Sequence, residues 1–252
     1  MAVRRDDVLA YLHDFLDVGT GTDYGPNGLQ VEGRPEVARI ALGVTASLEL
    51  FRAAAAMDAD LIVCHHGLFF SAVDRITGLL APRLGFLLER GLSLAAYHLP
   101  LDRHPEVGNN AVLCRHLGIT ATRPFGVVRG APIGLIGELD PPAACADVAA
   151  RLARVCGQPP REARFGREPV RRVAVVTGGG ADLLEEAARA GADLFVTGEA
   201  PERAHEQCRE LGVSALFGGH YATERFGVQA LAELLPQRFA VEARFLDVPN
   251  PF

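Results

Sequence analysis

No Cys-x-x-Cys occurs in the chain, and the five cysteines, Cys64, Cys114, Cys145, Cys156 and Cys208, are odd in number and scattered. That excludes a disulfide framework and matches reduced core thiols in a cytoplasmic protein. Cys64, beside two histidines, is a candidate soft metal ligand, with a buried structural thiol as the favoured reading. No apolar run approaches the roughly 20 residues of a membrane span. No apolar signal region follows Arg4-Arg5, so the expected location is the cytoplasm. Positive charge is in deficit too. Lys and Arg total 25 against 31 Asp and Glu, a formal net charge of −6, which disfavours nucleic acid as a bulk electrostatic partner. Gly178-Gly179-Gly180 has no Lys-Ser/Thr after it and no G-x-G-x-x-G around it. It therefore reads as a tight strand-to-helix turn rather than a phosphate loop.

What is present is an ordinary globular composition: 252 residues, 49% hydrophobic and 22% charged. That length suffices for one large domain or two of ordinary size. Three apolar runs end in histidine. Asp60-Leu61-Ile62-Val63-Cys64 runs into His65-His66-Gly67. Leu94-Ala95-Ala96-Tyr97 runs into His98, with Asp102 four positions later. Leu216-Phe217-Gly218-Gly219 runs into His220, with Glu224 four positions later. A buried strand stopping in a turn sets such a His and carboxylate side by side, and imidazole with carboxylate suits a borderline divalent cation. The expectation is that these three strand ends form one metal centre. One buried His alone would more often be structural. His104, in the turn His104-Pro105-Glu106, reads as a surface residue or a neighbour of the ligands.

A repeat runs behind the site. Residues 37–66 align without gaps on 170–199, an offset of 133, with identities at 37, 39, 41, 50, 54, 55, 59, 60, 61 and 63. The His-x-x-x-Asp and His-x-x-x-Glu elements follow at an offset of 122, which places eleven extra residues in the first half. The alignment pairs His98 with His220, Asp102 with Glu224 and His66 with Glu199. A similarity common to all β-α-β units is the competing explanation.

Taken in order, helical periodicity covers 6–17, 47–58, 79–90, about 109–117, 143–156, 182–190, 202–211 and 225–235. Strands are expected at 38–45, 60–64, up to His98, 133–139, 171–177, 193–197, 213–219 and Phe239–Val248. Continuous apolar strands separated by helices indicate parallel sheets covered on both faces. Ligands in such sheets gather beyond the carboxyl ends of the strands. The loop over 68–78 carries Phe69-Phe70 and an exposed Asp74-Arg75. Asn109, after Gly108, reads as a helix N-cap or an anion-holding helix start. Arg161, Arg164, Arg167, Arg171 and Arg172 form a small basic patch that suits solvent or a phosphate-bearing ligand. The fold class expected is α/β, as two similar three-layer α/β domains from an internal duplication. Pro124, Gly126, Gly130 and Pro132 place the boundary so that the domains are 1–124 and 125–252, with the closing strand a candidate to return to the first.

The ordered set Asp23-Tyr24-Gly25-Pro26-Asn27-Gly28-Leu29-Gln30-Val31, His65-His66-Gly67, His98 with Leu101-Asp102, Gly108-Asn109-Asn110, Thr197-Gly198-Glu199 and Gly219-His220 with Thr223-Glu224 resembles the NGG-one-interacting-factor-three-like family. Bacterial members of that family are often labelled type 2 GTP cyclohydrolase I homologues, and the chain resembles its short form. The resemblance implies metal ligands at His65, His66, Asp102, His220 and Glu224, with His98, Glu199 and Asn27 around them. It also implies two divalent ions per chain in a cleft between two α/β domains, and a homohexameric ring. Many members have Pro where this chain has Gly67.

These readings converge on a dinuclear-metal-dependent hydrolase. Glu224 would be the bridging carboxylate, and a metal-bound water would attack a nucleotide, cyclic amide or phosphoester, GTP ring opening included. The alternative is a non-catalytic, metal-containing regulatory or interaction protein. His and carboxylate donors leave zinc, manganese, iron, cobalt and magnesium open.

Overall fold

The computed structural model describes residues 2–70, 73 and 75–252, so the Asp74 expected to be exposed lies outside the described residues. The chain begins β1 (Val3–Arg4), α1 (Arg5–Phe15), β2 (Gly28–Val31), β3 (Glu36–Val37), β4 (Arg39–Thr45), α2 (Leu48–Ala56) and β5 (Leu61–His66). It continues α3 (Leu80–Arg90), β6 (Ser93–Ala96), α4 (Leu99–Arg103), α5 (Asn109–Leu117), β7 (Ile119–Val128), β8 (Ala131–Ala143) and α6 (Cys145–Cys156). It ends β9 (Arg161–Ala163), β10 (Val170–Val176), a 3-10 turn (Gly180–Leu183), α7 (Leu184–Arg189), β11 (Leu194–Thr197), α8 (Ala204–Leu211), β12 (Ser214–Phe217), α9 (His220–Arg238) and β13 (Glu242–Phe245). Two compact units result. Unit 1 is Met1–Leu101 with Gly227–Pro249, and unit 2 is Asp102–Phe226 with Asn250–Phe252.

Unit 1 holds a five-stranded sheet in the order β13-β4-β5-β6-β2. All neighbours are parallel except β2, which runs antiparallel to β6. Leu50, Phe51 and Ala54 of α2 and Leu87 of α3 pack with Ala41, Ile62, Cys64 and Leu94 of the sheet. Leu61 and Val63 point to the other face by strand alternation and are equally buried. A parallel strand buried on both faces reads as the unbroken apolar run seen in the sequence. Ser47 caps α2 by accepting from Leu50 N at 3.2 Å, the role a serine plays at a helix start.

Unit 2 holds a six-stranded sheet, β7-β8-β10-β11-β12-β9, with β10, β11 and β12 parallel. Its core joins Leu113 and Leu117 of α5, Val148 and Leu152 of α6, Val173, Val175, Val196 and Leu216 of the sheet, and Phe226 of α9. The expected boundary at 124/125 falls inside β7. Pro124, Gly126, Gly130 and Pro132 belong to a hairpin instead of a linker. Arg129 and Gly130 both take positive φ, 54° and 86°, between paired Val128 and Ala131. That two-residue turn has a twist matched to its strands.

Each unit has the same pairing register within its own sheet. Ile40 pairs Leu61 and Leu42 pairs Val63 in β4–β5, while Val173 pairs Leu194 and Val175 pairs Val196 in β10–β11, an offset of 133 throughout. Asp60 Oδ2 accepts from Ala38 N and Arg39 N, and Asp193 Oδ2 accepts from Arg171 N and Arg172 N at the same offset. The likeness extends upstream to the edge strands, since Gly28 pairs Ala96 as Arg161 pairs Phe217.

It also corrects the expected pairing of the histidines. Leu61 pairs Ser93 and Leu194 pairs Ser214, so the spacings are 93 − 61 = 32 and 214 − 194 = 20. The first unit therefore carries twelve extra residues, not eleven. Tyr97 N donates to Cys64 O as Gly218 N donates to Thr197 O. In this register His98 matches Gly219, and His220 matches Leu99, the first residue of α4. The similar spacing of His98/Asp102 and His220/Glu224 is thus not a matched placement. Backbone pairing, not side-chain spacing, decides which positions correspond.

Candidate metal centre

In unit 1, β5 ends in His65 and His66, and β6 delivers Tyr97 one residue and His98 two residues past its last paired position, Ala96. The three rings cluster with centroids 4.7 Å (His65–His66), 5.1 Å (His65–His98) and 5.6 Å (His66–His98) apart. One ligand nitrogen from each lies within 4.8 Å of the others. Two nitrogens on one ion at about 2.1 Å are at most about 4.2 Å apart, so small side-chain adjustments would gather all three on one cation. Each ring is also fixed in place. His65 Nδ1 lies 3.0 Å from Tyr97 O, and His98 Nδ1 lies 2.7 Å from Asp23 Oδ1. Carbonyl and carboxylate oxygens only accept, so in the neutral rings Nδ1 carries the hydrogen and Nε2 holds the lone pair. That is the tautomer a ligating histidine takes when a neighbouring acceptor orients it. His66 Nδ1 is 3.3 Å from Thr45 Oγ1. Phe70 stands edge-on to His98 at 5.0 Å.

The loop before β2 exists to hold His98. Asp23 Oδ2 accepts from Leu99 N at 2.9 Å and from Asn27 Nδ2 at 2.9 Å, and Asn27 Oδ1 accepts from His98 N at 2.8 Å. Burial alone would raise the Asp23 carboxyl, but its hydrogen bond and charge interaction with His98, helped by Asn27 and Tyr24 N, bring it below the ordinary value. Cys64 points elsewhere. It is fully buried, its thiol contacts His66 O and Ala95 O, and burial pushes its pKa up. It is structural.

In unit 2, Asp102 is buried and Oδ1 accepts from Asn109 Nδ2 at 2.8 Å and from Thr177 Oγ1 at 3.3 Å. Asn110 spans Asp102 O, Ile133 O and Thr177 N. Both asparagines are buried inside α5, and Gly108 is its N-cap with no side-chain cap. The N-cap expected at Asn109 is therefore wrong, because that side chain is committed to the carboxylate. His104 is also buried, and its Nδ1 accepts from Glu106 N and Val107 N, closing its own turn.

α9 starts at His220, five residues before the expected 225, which puts His220 and Glu224 one turn apart on a helix. His220 Nε2 is 2.9 Å from Glu224 Oε2, and its Nδ1 is 2.6 Å from Glu199 Oε1. Glu224 is buried and Glu199 more than half exposed. Gly178, at φ +65°, presses on the pair: an added Cβ would sit 1.8 Å from Glu224 Oε1 and 3.1 Å from His220 Nε2. Gly178 N donates to Thr223 Oγ1 at 3.0 Å. The glycine run is a turn, as expected, but it is also the surface against which Glu224 rests.

Burial opposes charge on His220, yet its hydrogen bonds and charge interactions with Glu224 and then Glu199 outweigh this and push its pKa up to about 9. A raised folded-state pKa stabilises the metal-free fold fully below the unfolded value of about 6.5. That contribution is lost as pH rises through about 9. The Tm of chelated protein should fall over that window, and His220→Gln should remove that part of the fall. A pH-independent difference between the two would contradict the assignment.

The structure brings His65, His66, His98 and Asn27 together in unit 1, and Asp102, His220, Glu224 and Glu199 together in unit 2. Sequence reasoning missed Asp23, Asn110, Thr177 and Thr223, and it read Asn109 as a cap or anion-holding helix start and Gly178 only as part of a turn. Most of these stand in the stretches that carried the resemblance, which was the one signal available.

The family model of Duf34/NIF3 (NGG1p interacting factor 3) matches residues 3–251. The chain belongs to the Duf34/NIF3 family. A relative from Pseudomonas aeruginosa, named a GTP cyclohydrolase 1 type 2 homolog, is 44% identical over 252 residues, covering all of both chains. One of the same name from Archaeoglobus fulgidus is 44% identical over 97% of this chain and 98% of its own. The solved structure of protein ybgI, described as of unknown function, matches with a TM-score of 0.93 at 38% identity, over 99% of this chain and 100% of that one. This NIF3 chain uses Gly67 to admit Gln30, whose side chain a Cβ there would meet at 2.4 Å. Gln30 accepts from Leu68 N and donates to Pro26 O, tying the segment after His66 to the loop that holds His98.

Proposed function

We propose that this NIF3-family chain is a dinuclear-metal-dependent hydrolase acting on a nucleotide or a related cyclic amide or phosphoester, GTP cyclohydrolase-type ring opening among them. The ligand set is that of the family resemblance: His65, His66, Asp102, His220 and Glu224. The observation that carries the reading is the anchoring of the donors, each within its own unit. His65 is oriented by Tyr97 O, Asp102 by Asn109 and Thr177, and His220 by Glu199. Imidazole and carboxylate without thiolate fit a borderline or hard divalent ion such as zinc, manganese or iron. A bound pair of ions supplies Lewis acidity and lowers the pKa of a water.

The chain's own residues do the rest. Asp102 and Glu224 bring negative charge into buried positions where opposite charge is needed. Glu224, with two carboxylate oxygens, would hold both ions, and Glu199 orients His220. Asp23 and Asn27 hold His98, which stands beside His65 and His66. The same pairing register in the two units supports their origin in a duplication, and the family resemblance supports a homohexameric ring.

Protein purified without chelator should carry about two divalent ions per chain by elemental analysis and run as a hexamer in light scattering. It should also turn over at least one member of a panel of nucleotides, phosphoesters and cyclic amides. Metal near zero after reloading sinks the centre, and a monomer at micromolar concentration sinks the ring. Two ions without turnover would leave the non-catalytic, metal-holding alternative.

A further inference from the structure

Unit 2 contains a cavity of about 550 Å³ whose lining includes Gln158, Arg161, Glu199, Phe217, Gly219 and Phe252. That volume is within the range of small-molecule sites. One wall is Glu199, the carboxylate that pairs with His220. Another is Arg161 on the edge strand β9, opposite Phe217 in the ladder.

The arginines of the basic patch sort themselves in the structure. Arg164 pairs with Glu162, and Arg171 and Arg172 pair with Glu138. Arg161 makes no ion pair or side-chain hydrogen bond among the described residues and is the member of the patch that lines the cavity. The cavity is therefore electrically polarised, with a carboxylate at one wall and a guanidinium at another. Phe217, the buried cross-strand partner of Arg161, and the exposed Phe252 also line it. Gln158 is fixed by donating to Gly218 O at 3.0 Å, and it packs where a side chain at Gly219 would otherwise sit.

We propose that this cavity binds the phosphate of a nucleotide on Arg161, with the base lying against Phe217 and Phe252 toward Glu199. The proposal rests on the hydrolase reading above and adds the part of the chain that recognises the substrate. A guanidinium matches a phosphate with two parallel N–H donors. Flat bases stack on aromatic side chains with little demand for sequence of contacts. Orientation follows from charge: a phosphate beside Glu199 would meet a carboxylate, so the phosphate belongs at Arg161 and the uncharged ring at the Glu199 wall.

The test is calorimetric titration of the whole chain with guanosine 5′-monophosphate, guanosine and inorganic phosphate, with and without divalent ions. The wild-type chain should bind the monophosphate at least about tenfold more tightly than guanosine. Arg161→Gln should weaken the monophosphate by about 10- to 100-fold, the range for a charged hydrogen bond, and leave guanosine unchanged. Arg161→Lys should recover part of the loss, as a point charge without the fork. Arg161 is exposed on an edge strand, so thermal melts of both variants should match wild type. Equal monophosphate affinity in wild type and Arg161→Gln, no preference over guanosine, or no binding of either would overturn the site. Binding with this Arg161 dependence but no turnover would remove the hydrolase reading and leave the site standing. Turnover indifferent to Arg161→Gln would do the reverse.

Discussion

Glu224→Gln is expected to drop the metal content from about two ions to one or fewer and to abolish hydrolysis, while the protein stays folded. The side chain is buried, rests against Gly178 and sits 2.9 Å from His220 Nε2. Glutamine keeps that shape and a hydrogen-bonding oxygen but loses the negative charge, so two cations nearby would repel with less compensation. Glu199→Gln is the contrasting variant. Glu199 is more than half exposed and touches Nδ1 of His220, the far side of the ring. Its amide would still orient the imidazole, more weakly. Both ions should remain, with affinity or activity lowered about 10- to 100-fold. Metal titration of the two variants side by side decides the roles. If Glu199→Gln empties the protein and Glu224→Gln does not, the assignment is the wrong way round.

Gly178→Ala should do nearly as much damage through the backbone. The residue sits at φ +65°, which costs a non-glycine roughly 1 kcal/mol. Its Cβ would stand 1.8 Å from Glu224 Oε1, so the carboxylate must leave its seat. The variant should lose about 1–3 kcal/mol of stability and bind metal at least tenfold more weakly. The neighbour supplies the control. Gly179 has φ −82°, and an added Cβ would meet its nearest atom, Glu199 Oε2, at 3.7 Å. Gly179→Ala should change stability by no more than about 0.5 kcal/mol and keep its metal. Equal losses in the two variants would show that the contact with Glu224 is not what matters.

Much of this was legible in the residues because it rests on local rules. Runs such as Leu61–Cys64 and Leu194–Val196 have the unbroken apolar character of parallel strands buried on both faces. The ungapped match of 37–66 on 170–199 is reproduced as one hydrogen-bond register in two sheets. The histidines at strand ends were visible because open α/β sheets gather ligands there. Two local signals misled. The Pro and Gly cluster near 124–132 suggested a linker, yet the same residues build a two-residue hairpin turn. Asn109 resembled a cap because cap and interior asparagines carry the same letter, and only the packing of α5 shows which one it is.

The sequence by itself determined the α/β class, the repeat, the metal-suited donor types and the family. Each of these depends on residue type and short spacing. Only the tertiary structure decided that Asp23 orients His98 from 75 positions away, that Asn110 joins Asp102 O to Thr177 N, and that Glu199 rather than solvent meets His220 Nδ1. It also decided that His220 opens a helix one residue out of step with His98, because β12 and β6 are aligned by backbone pairing that no side-chain spacing reports. Those contacts join residues far apart in the chain, and their partners are selected by where the strands stop and which way the next helix turns.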